Sequence, residues 1–218
     1  MRTSNVQKSS NGSAYRSWCH RMESGIPMTD TATRSPRLSV DDWTREALEQ
    51  IAEAGVAAVA VEPLARRLGV TKGSFYWHFP SRDALLQAAL ERWERDEQAA
   101  YGALGSISDA GERLRTLFNM VRFHTKTHVI YSELLKAAEH PAIRSVLDNV
   151  LQRRIGFLFD SFRHAGLAER DALRRARMAY AVYVGFLQLE LPKFRQREQS
   201  EDFAGYIDHI MATLIPRA

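Results

Sequence analysis

The sequence predicts an all-α protein in which a small N-terminal three-helix domain is joined by a long helix to a larger helical domain, and three observations carry that expectation. From residue 39 onward, apolar residues recur at three- and four-residue spacing through most of the chain. No segment alternates with period two between turn signals, so no strand is expected. The 218 residues also exceed what one small core of roughly 100 to 150 residues needs.

Composition excludes several classes. With 45% hydrophobic and 26% charged residues the chain reads as an ordinary globular protein. Its longest apolar stretch, residues 178–191, already contains Gln188 and Glu190 and falls short of the roughly 18 residues of a membrane span. Cys19 is the single cysteine, so neither an intramolecular disulfide nor zinc-ligand spacing is available. Residues 1–39 lack the apolar region of a signal peptide, and a cytoplasmic location without membrane contact is expected. The net charge of +4 is local, because residues 1–38 hold six Lys/Arg against two acids while the remainder balances. Residues 1–37, polar and without period, are expected to be a disordered basic arm that ends in Arg34 and Arg37, with Met28 as an alternative start.

The elements follow in order. Ser39 as N-cap and Asp42 as N3 acid announce a helix that Gly55 ends. Two short helices follow, Glu62 to Leu68 stopped at Gly69 and Lys72 to Phe79 stopped by Pro80. Ser81 caps a long linking helix over about 81–100, with Asp83 in its first turn and a break expected at Gly102 and Gly105. Further helices are expected near 109–126, 128–138, 141–164, 169–191 and 201–215. The domain boundaries this implies are 38–84 and 85–218.

The informative stretch is VEPLARRLGVTKGSFYWHF, residues 61–79. Leu64, Ala65 and Leu68 form one apolar face, Gly69 permits a tight turn plugged by Val70, and Phe75 with Phe79 anchors the next helix at i, i+4. This is the plan of a helix-turn-helix, whose second helix enters the DNA major groove. The run Tyr76-Trp77-His78-Phe79 could be plain aromatic core, but four consecutive rings cannot all face inward at 3.6 residues per turn. With the two phenylalanines inward, Lys72, Gly73, Ser74 and Trp77 point out: Lys72 suits guanine or phosphate, Trp77 a thymine methyl, and Tyr76 and His78 phosphates. Residues 61–82 carry a local charge of +3, whereas the acidic first helix, with Asp41, Asp42, Glu46, Glu49 and Glu53, is expected to face away from DNA.

Residues 39–93, and GVTKGSFYWHFPSRDALL (69–86) above all, resemble the N-terminal domain of TetR-family transcriptional regulators. The resemblance implies base-facing Lys72, Gly73, Ser74 and Trp77, with Thr71, Tyr76, His78 and Arg82 on phosphates. It implies a homodimer on a pseudo-palindromic double-stranded operator, repression relieved by a small effector, and no catalysis or cofactor. Ala60 and Val61 depart from the pattern where a hydroxyl residue is usual, and Glu62 stands at a frequently basic position.

For the C-terminal half the inference is architectural. Phe203, Ile207, Ile210 and Leu214 share one stripe, and the helix over 169–191 is apolar nearly all round with Gly185 permitting close approach, so these are candidates for a dimer interface. An effector pocket between the long helices has Phe118, Phe123, Tyr131, Leu134, Phe157, Phe162, Tyr183 and Phe186 as candidate lining, which suggests an apolar or aromatic effector. Trp93 and Tyr101 would transmit its binding along the linking helix. His124 and His128 stand at i, i+4, where Glu133 or His140 could join them around a metal, but histidines on a helix surface are commoner and no metal site is assigned. No phosphate loop or nucleophile elbow is present, so an enzyme is not expected. The alternative is a DNA-binding regulator whose C-terminal domain only dimerises or binds a protein partner, without a small ligand.

Overall fold

In the computed structural model, which describes residues 38–123, 125–189 and 201–215, the chain becomes helical at Val40. The basic arm over 1–37, His124, and the side chains of Phe123, Phe203 and Ile207 lie outside the described residues. Helix α1, Val40–Ala54, opens with a complete capping box: Asp42 N donates to Ser39 Oγ at 3.2 Å and Ser39 N to Asp42 Oδ2 at 2.9 Å. Those bonds to Ser39, with Arg45 alongside, hold the Asp42 carboxyl below its ordinary range. Gly55 ends the helix at φ 81°, a conformation that a side chain would strain, and a 3-10 turn over Val56–Ala58 follows that the sequence did not announce.

Helix α2, Val61–Arg67, starts at Ala60 without any side-chain cap, the physical counterpart of its missing hydroxyl. Gly69, at φ 67°, turns the chain, and Val70 N donates to Ala65 O at 2.9 Å. Helix α3, Lys72–Tyr76, is shorter than the expected Lys72 to Phe79. His78 N and Phe79 N both converge on Phe75 O at 2.9 and 3.0 Å, which tightens the last turn ahead of Pro80. Ser81 Oγ then accepts from Ala84 N at 3.1 Å and starts α4, Arg82–Gly105.

The expected break falls at Gly105 rather than Gly102, since α4 runs on to Gly105 and ends at Ser106. Ala100 and Leu104 are buried against Met120, and that burial outweighs the roughly 1 kcal/mol a glycine costs a helix. The remaining helices are α5 (Ala110–Phe123), α6 (Thr125–Lys136), α7 (Pro141–His164), α8 (Glu169–Leu189) and α9 (Glu201–Leu214), close to their expected bounds. Among the described residues there is no strand, and no helix is long and apolar enough to cross a membrane.

One core runs from Trp43, Leu64, Phe75 and Leu86 through Trp93 and Tyr131 to Leu147 and Phe186, so packing continues without a break from α1–α4 into α6, α7 and α8. Trp43 meets Phe75 edge-on at 5.4 Å between ring centroids, and Phe79 stacks on Phe75 at 5.7 Å. A second core, with Leu114, Phe118, Phe162, Ala176 and Leu214, holds α5, α7, α8 and α9 together.

Candidate functional site

The burial of Phe75 and Phe79 decides what α3 presents to solvent. Trp77 is 87% exposed and Tyr76 56%, unusual for rings beside an aromatic core. Thr71, Lys72 and Gly73 are exposed on the same side, while Ser74 and His78 are half-buried, the His78 ring lying 6.4 Å from that of Trp43. Nothing in the fold requires glycine at 73: a Cβ there would find only Thr71 Oγ1, at an ordinary 3.7 Å. The bare backbone at this position therefore leaves room for another molecule rather than for this chain.

The charges are arranged differently from their sum in sequence. Lys72 Nζ pairs with Glu62 Oε1 at 2.8 Å, a hydrogen bond that raises the ammonium and lowers the carboxyl from their ordinary values. Arg67 reaches back to Glu46 and Glu53 and ties α2 to α1. Arg82 spends Nε on Val59 O at 2.7 Å, Nη2 on Val56 O at 3.1 Å and Nη1 on Asp83 at 3.2 Å, clamping the turn before α2. The acids of α1 also serve the fold: Asp41 pairs with Arg92 of α4 and Glu49 with Lys126 of α6.

A compact helix-turn-helix that turns Thr71, Lys72, Gly73, Tyr76 and Trp77 to solvent is thus in place. Residues 44–89 match the family model described as bacterial regulatory proteins, tetR family. The chain thus carries a tetR-family domain at residues 44–89. It is accordingly a DNA-binding transcriptional regulator. It is 45% identical over 55 residues to the tetracycline repressor protein class A from transposon 1721 of Escherichia coli, covering 25% of this chain and 26% of that protein. It is 24% identical over 165 residues to the nucleoid occlusion factor SlmA of Actinobacillus pleuropneumoniae, covering 69% of this chain and 76% of that one. A TetR transcriptional regulator from Legionella pneumophila superposes with a TM-score of 0.70 at 15% identity, over 85% of this chain and all of that one, and so shares the fold.

Helices α4 to α8 line a cleft of about 70 Å³ that is partly open to solvent. Of the expected lining residues, Phe118 and Tyr183 face it. Tyr131 lies behind the wall, stacked between Trp93 and Tyr183 at 5.8 and 6.1 Å with its hydroxyl 2.5 Å from that of Tyr180. Phe157 meets Tyr101 edge-on at 5.0 Å from outside the lining set. Leu134, Phe162 and Phe186 correct the expectation: all three are buried in the two large cores, because their helix faces turn toward neighbouring helices rather than the cleft. Trp93 and Tyr101 of α4 both line it.

The sequence reading missed the polar heart of the cleft. Arg154 of α7 and Glu97 of α4, 4% and 7% exposed, pair through Nη2 to Oε2 at 2.8 Å and Nε to Oε2 at 3.2 Å. The Arg154 guanidinium lies over the Tyr131 ring at 4.1 Å and near the Tyr183 ring at 5.1 Å. Burial pushes the Tyr183 hydroxyl up to about 12. A signal existed: Leu86, Leu90, Trp93, Ala100 and Leu104 form a buried stripe that Glu97 interrupts, and Val150 and Leu158 flank Arg154 likewise. Two opposite charges, each on an apolar stripe, mark a pair that must meet.

His128, expected on a helix surface, is instead buried, its Nδ1 2.7 Å from Tyr183 Oη and its Nε2 3.3 Å from Met120 O. Among the described residues no three His, Cys, Asp or Glu side chains group as metal ligands. Of the interface candidates, Gly185 and Ile210 are half-buried. Leu214 corrects the expectation, since at 3% exposure it is spent on its own chain's second core.

Proposed function

We propose that this chain is a repressor that binds a pseudo-palindromic operator as a homodimer and leaves it when a small, largely apolar effector enters the cleft. Residues 38–84 form the DNA-binding unit in this reading, and residues 85–218 bind the effector and the second subunit. Its α3 enters the major groove with Lys72, Gly73, Ser74 and Trp77 toward base edges, while Thr71, Tyr76 and His78 take phosphates. Arg82 fixes the turn through Val56 and Val59 and can offer a phosphate the N–H groups it does not spend on those carbonyls. The observation that carries the reading is Trp77, 87% exposed beside an aromatic core.

The switch has a short path. Thr127 and His128 line the cleft, and Lys126, the preceding residue of α6, pairs with Glu49 of α1. An effector that binds one arrangement of α6 better than the other therefore biases the DNA-binding unit through a direct contact, beside the route along α4 from Trp93 and Tyr101. A coupling of about 1–3 kcal/mol changes operator affinity roughly 5- to 150-fold. The test is to isolate the operator from DNA flanking the gene, form the complex, and titrate compounds that bind the cleft. Release by such compounds supports the switch, whereas cleft binding without any change in DNA affinity refutes it. A second reading draws on the match to SlmA over 165 residues: a DNA-binding regulator whose C-terminal half serves a protein partner. Its mark would be a DNA complex indifferent to every small cleft ligand.

A further inference from the structure

Among the described residues that line the cleft, two buried polar atoms have no hydrogen-bond partner, Arg154 Nη1 and Trp93 Nε1. Both residues are more than nine-tenths buried, at 4% and 3% exposure. Both atoms are donors, and a guanidinium or indole N–H cannot be silenced by losing its proton near neutral pH. A buried donor with no acceptor is costly, so a wall that keeps two of them is built for a guest that brings the acceptor.

The charge balance narrows the guest further. Glu97 already neutralises Arg154, and Asp96, also on the wall, lies 3.8 Å from Arg92. A carboxylate guest would enter a site with no uncompensated positive charge and with a second acid nearby. A cationic guest would meet the like charge of the guanidinium, already seated near the Tyr183 ring. Leu117, Phe118, Met120, Leu158 and Ala179 supply the apolar part of the remaining wall, beside Tyr101, Thr127, His128 and Tyr180.

We propose that the cleft takes an uncharged, mainly apolar molecule carrying a hydrogen-bond acceptor oxygen, a ketone or ester in chemical class, with that oxygen received by Arg154 and Trp93. This rests on the effector reading and specifies its chemistry.

Four probes on one naphthalene body test it by titration calorimetry on the full chain: acetylnaphthalene, ethylnaphthalene, naphthoate and naphthylmethylammonium. Acetylnaphthalene should bind tightest, with ethylnaphthalene weaker by about ten- to a hundredfold for want of the acceptor. Arg154→Lys keeps the charge opposite Glu97 but loses the planar fork, and Trp93→Phe keeps the ring but loses the N–H. Each should shrink the preference of acetyl over ethyl by several-fold or more, and the second remains informative if the first fails to fold. Equal affinity for the acetyl and ethyl probes overturns the proposal, as does an unchanged preference in both folded variants. Tightest binding of naphthoate or of the ammonium overturns it too while leaving a ligand-binding cleft intact. If none of the four binds, it falls together with the effector reading. Binding of acetylnaphthalene without release of DNA upholds the ligand class and refutes only the switch.

Discussion

Replacing Trp77 by alanine separates reading of DNA sequence from attraction to its backbone. The side chain is 87% exposed, so truncation leaves no cavity and should move stability by less than about 0.5 kcal/mol. A tryptophan presents roughly 200 Å² of surface, and covering half of it in a groove at about 25 cal/mol per Å² amounts to about 2.5 kcal/mol. That corresponds to a loss of roughly 70-fold on the operator. The assay is fluorescence anisotropy on operator and scrambled duplexes at one fixed salt concentration, with urea unfolding alongside. Trp77→Ala should lose affinity on the operator and little on the scrambled duplex, whereas Tyr76→Phe should weaken both about equally through a lost phosphate contact. A Trp77→Ala protein with an unchanged ratio of specific to non-specific affinity would refute the base-facing assignment.

Three further outcomes concern the scaffold. Ser39→Ala should cost about 1 kcal/mol in urea unfolding at neutral pH; because the Asp42 carboxyl is held low in the fold, its contribution is present above roughly pH 4 and fades as pH falls through the lowered folded value, so the variant and the parent should converge in acid. Arg82→Ala, which removes the side-chain donor to Val59 O and one of the two donors to Val56 O, should cost about 1–3 kcal/mol, and a variant of unaltered stability that binds every duplex more weakly would assign the arginine to phosphate instead. Glu97→Ala should cost about 3–5 kcal/mol by stranding buried Arg154, while the double change Glu97→Leu with Arg154→Met should lie within about 2 kcal/mol of the parent, and equal losses in the two proteins would contradict the buried-pair account.

Local chemistry was the legible part of this sequence. Ser39 with Asp42, Gly55, Gly69, Pro80 and Ser81 each act within a few residues of themselves, so the helix starts and stops around the DNA-binding unit could be read from one dimension. Gly102 misled because its helix is held by Leu104 packing on a segment distant in sequence, a term absent from any local window. The cleft was legible only where aromatic residues face it. Phe118, Phe162 and Phe186 look alike in sequence, and which of them meets empty space depends on how helices cross. Arg154 and Glu97 were passed over because charged residues on long helices normally face water, and the partner that contradicts this is 57 positions away.

The ion pairs that α1 makes with Arg67, Arg92 and Lys126 also bear on how a salt titration of DNA binding is read. Affinity for duplex falls with the logarithm of salt in proportion to the phosphates neutralised. Salt acts on these partly exposed pairs as well, loosening the hold of α1 on α2, α4 and α6 and so the posture in which α3 is presented. The measured slope for this protein is therefore a composite of counterions shed from DNA and a change in the free protein. Repeating the titration with Glu49→Gln and Lys126→Gln together removes one component of the second kind, and the difference between the two slopes measures how far the phosphate count is inflated by the protein's own electrostatics.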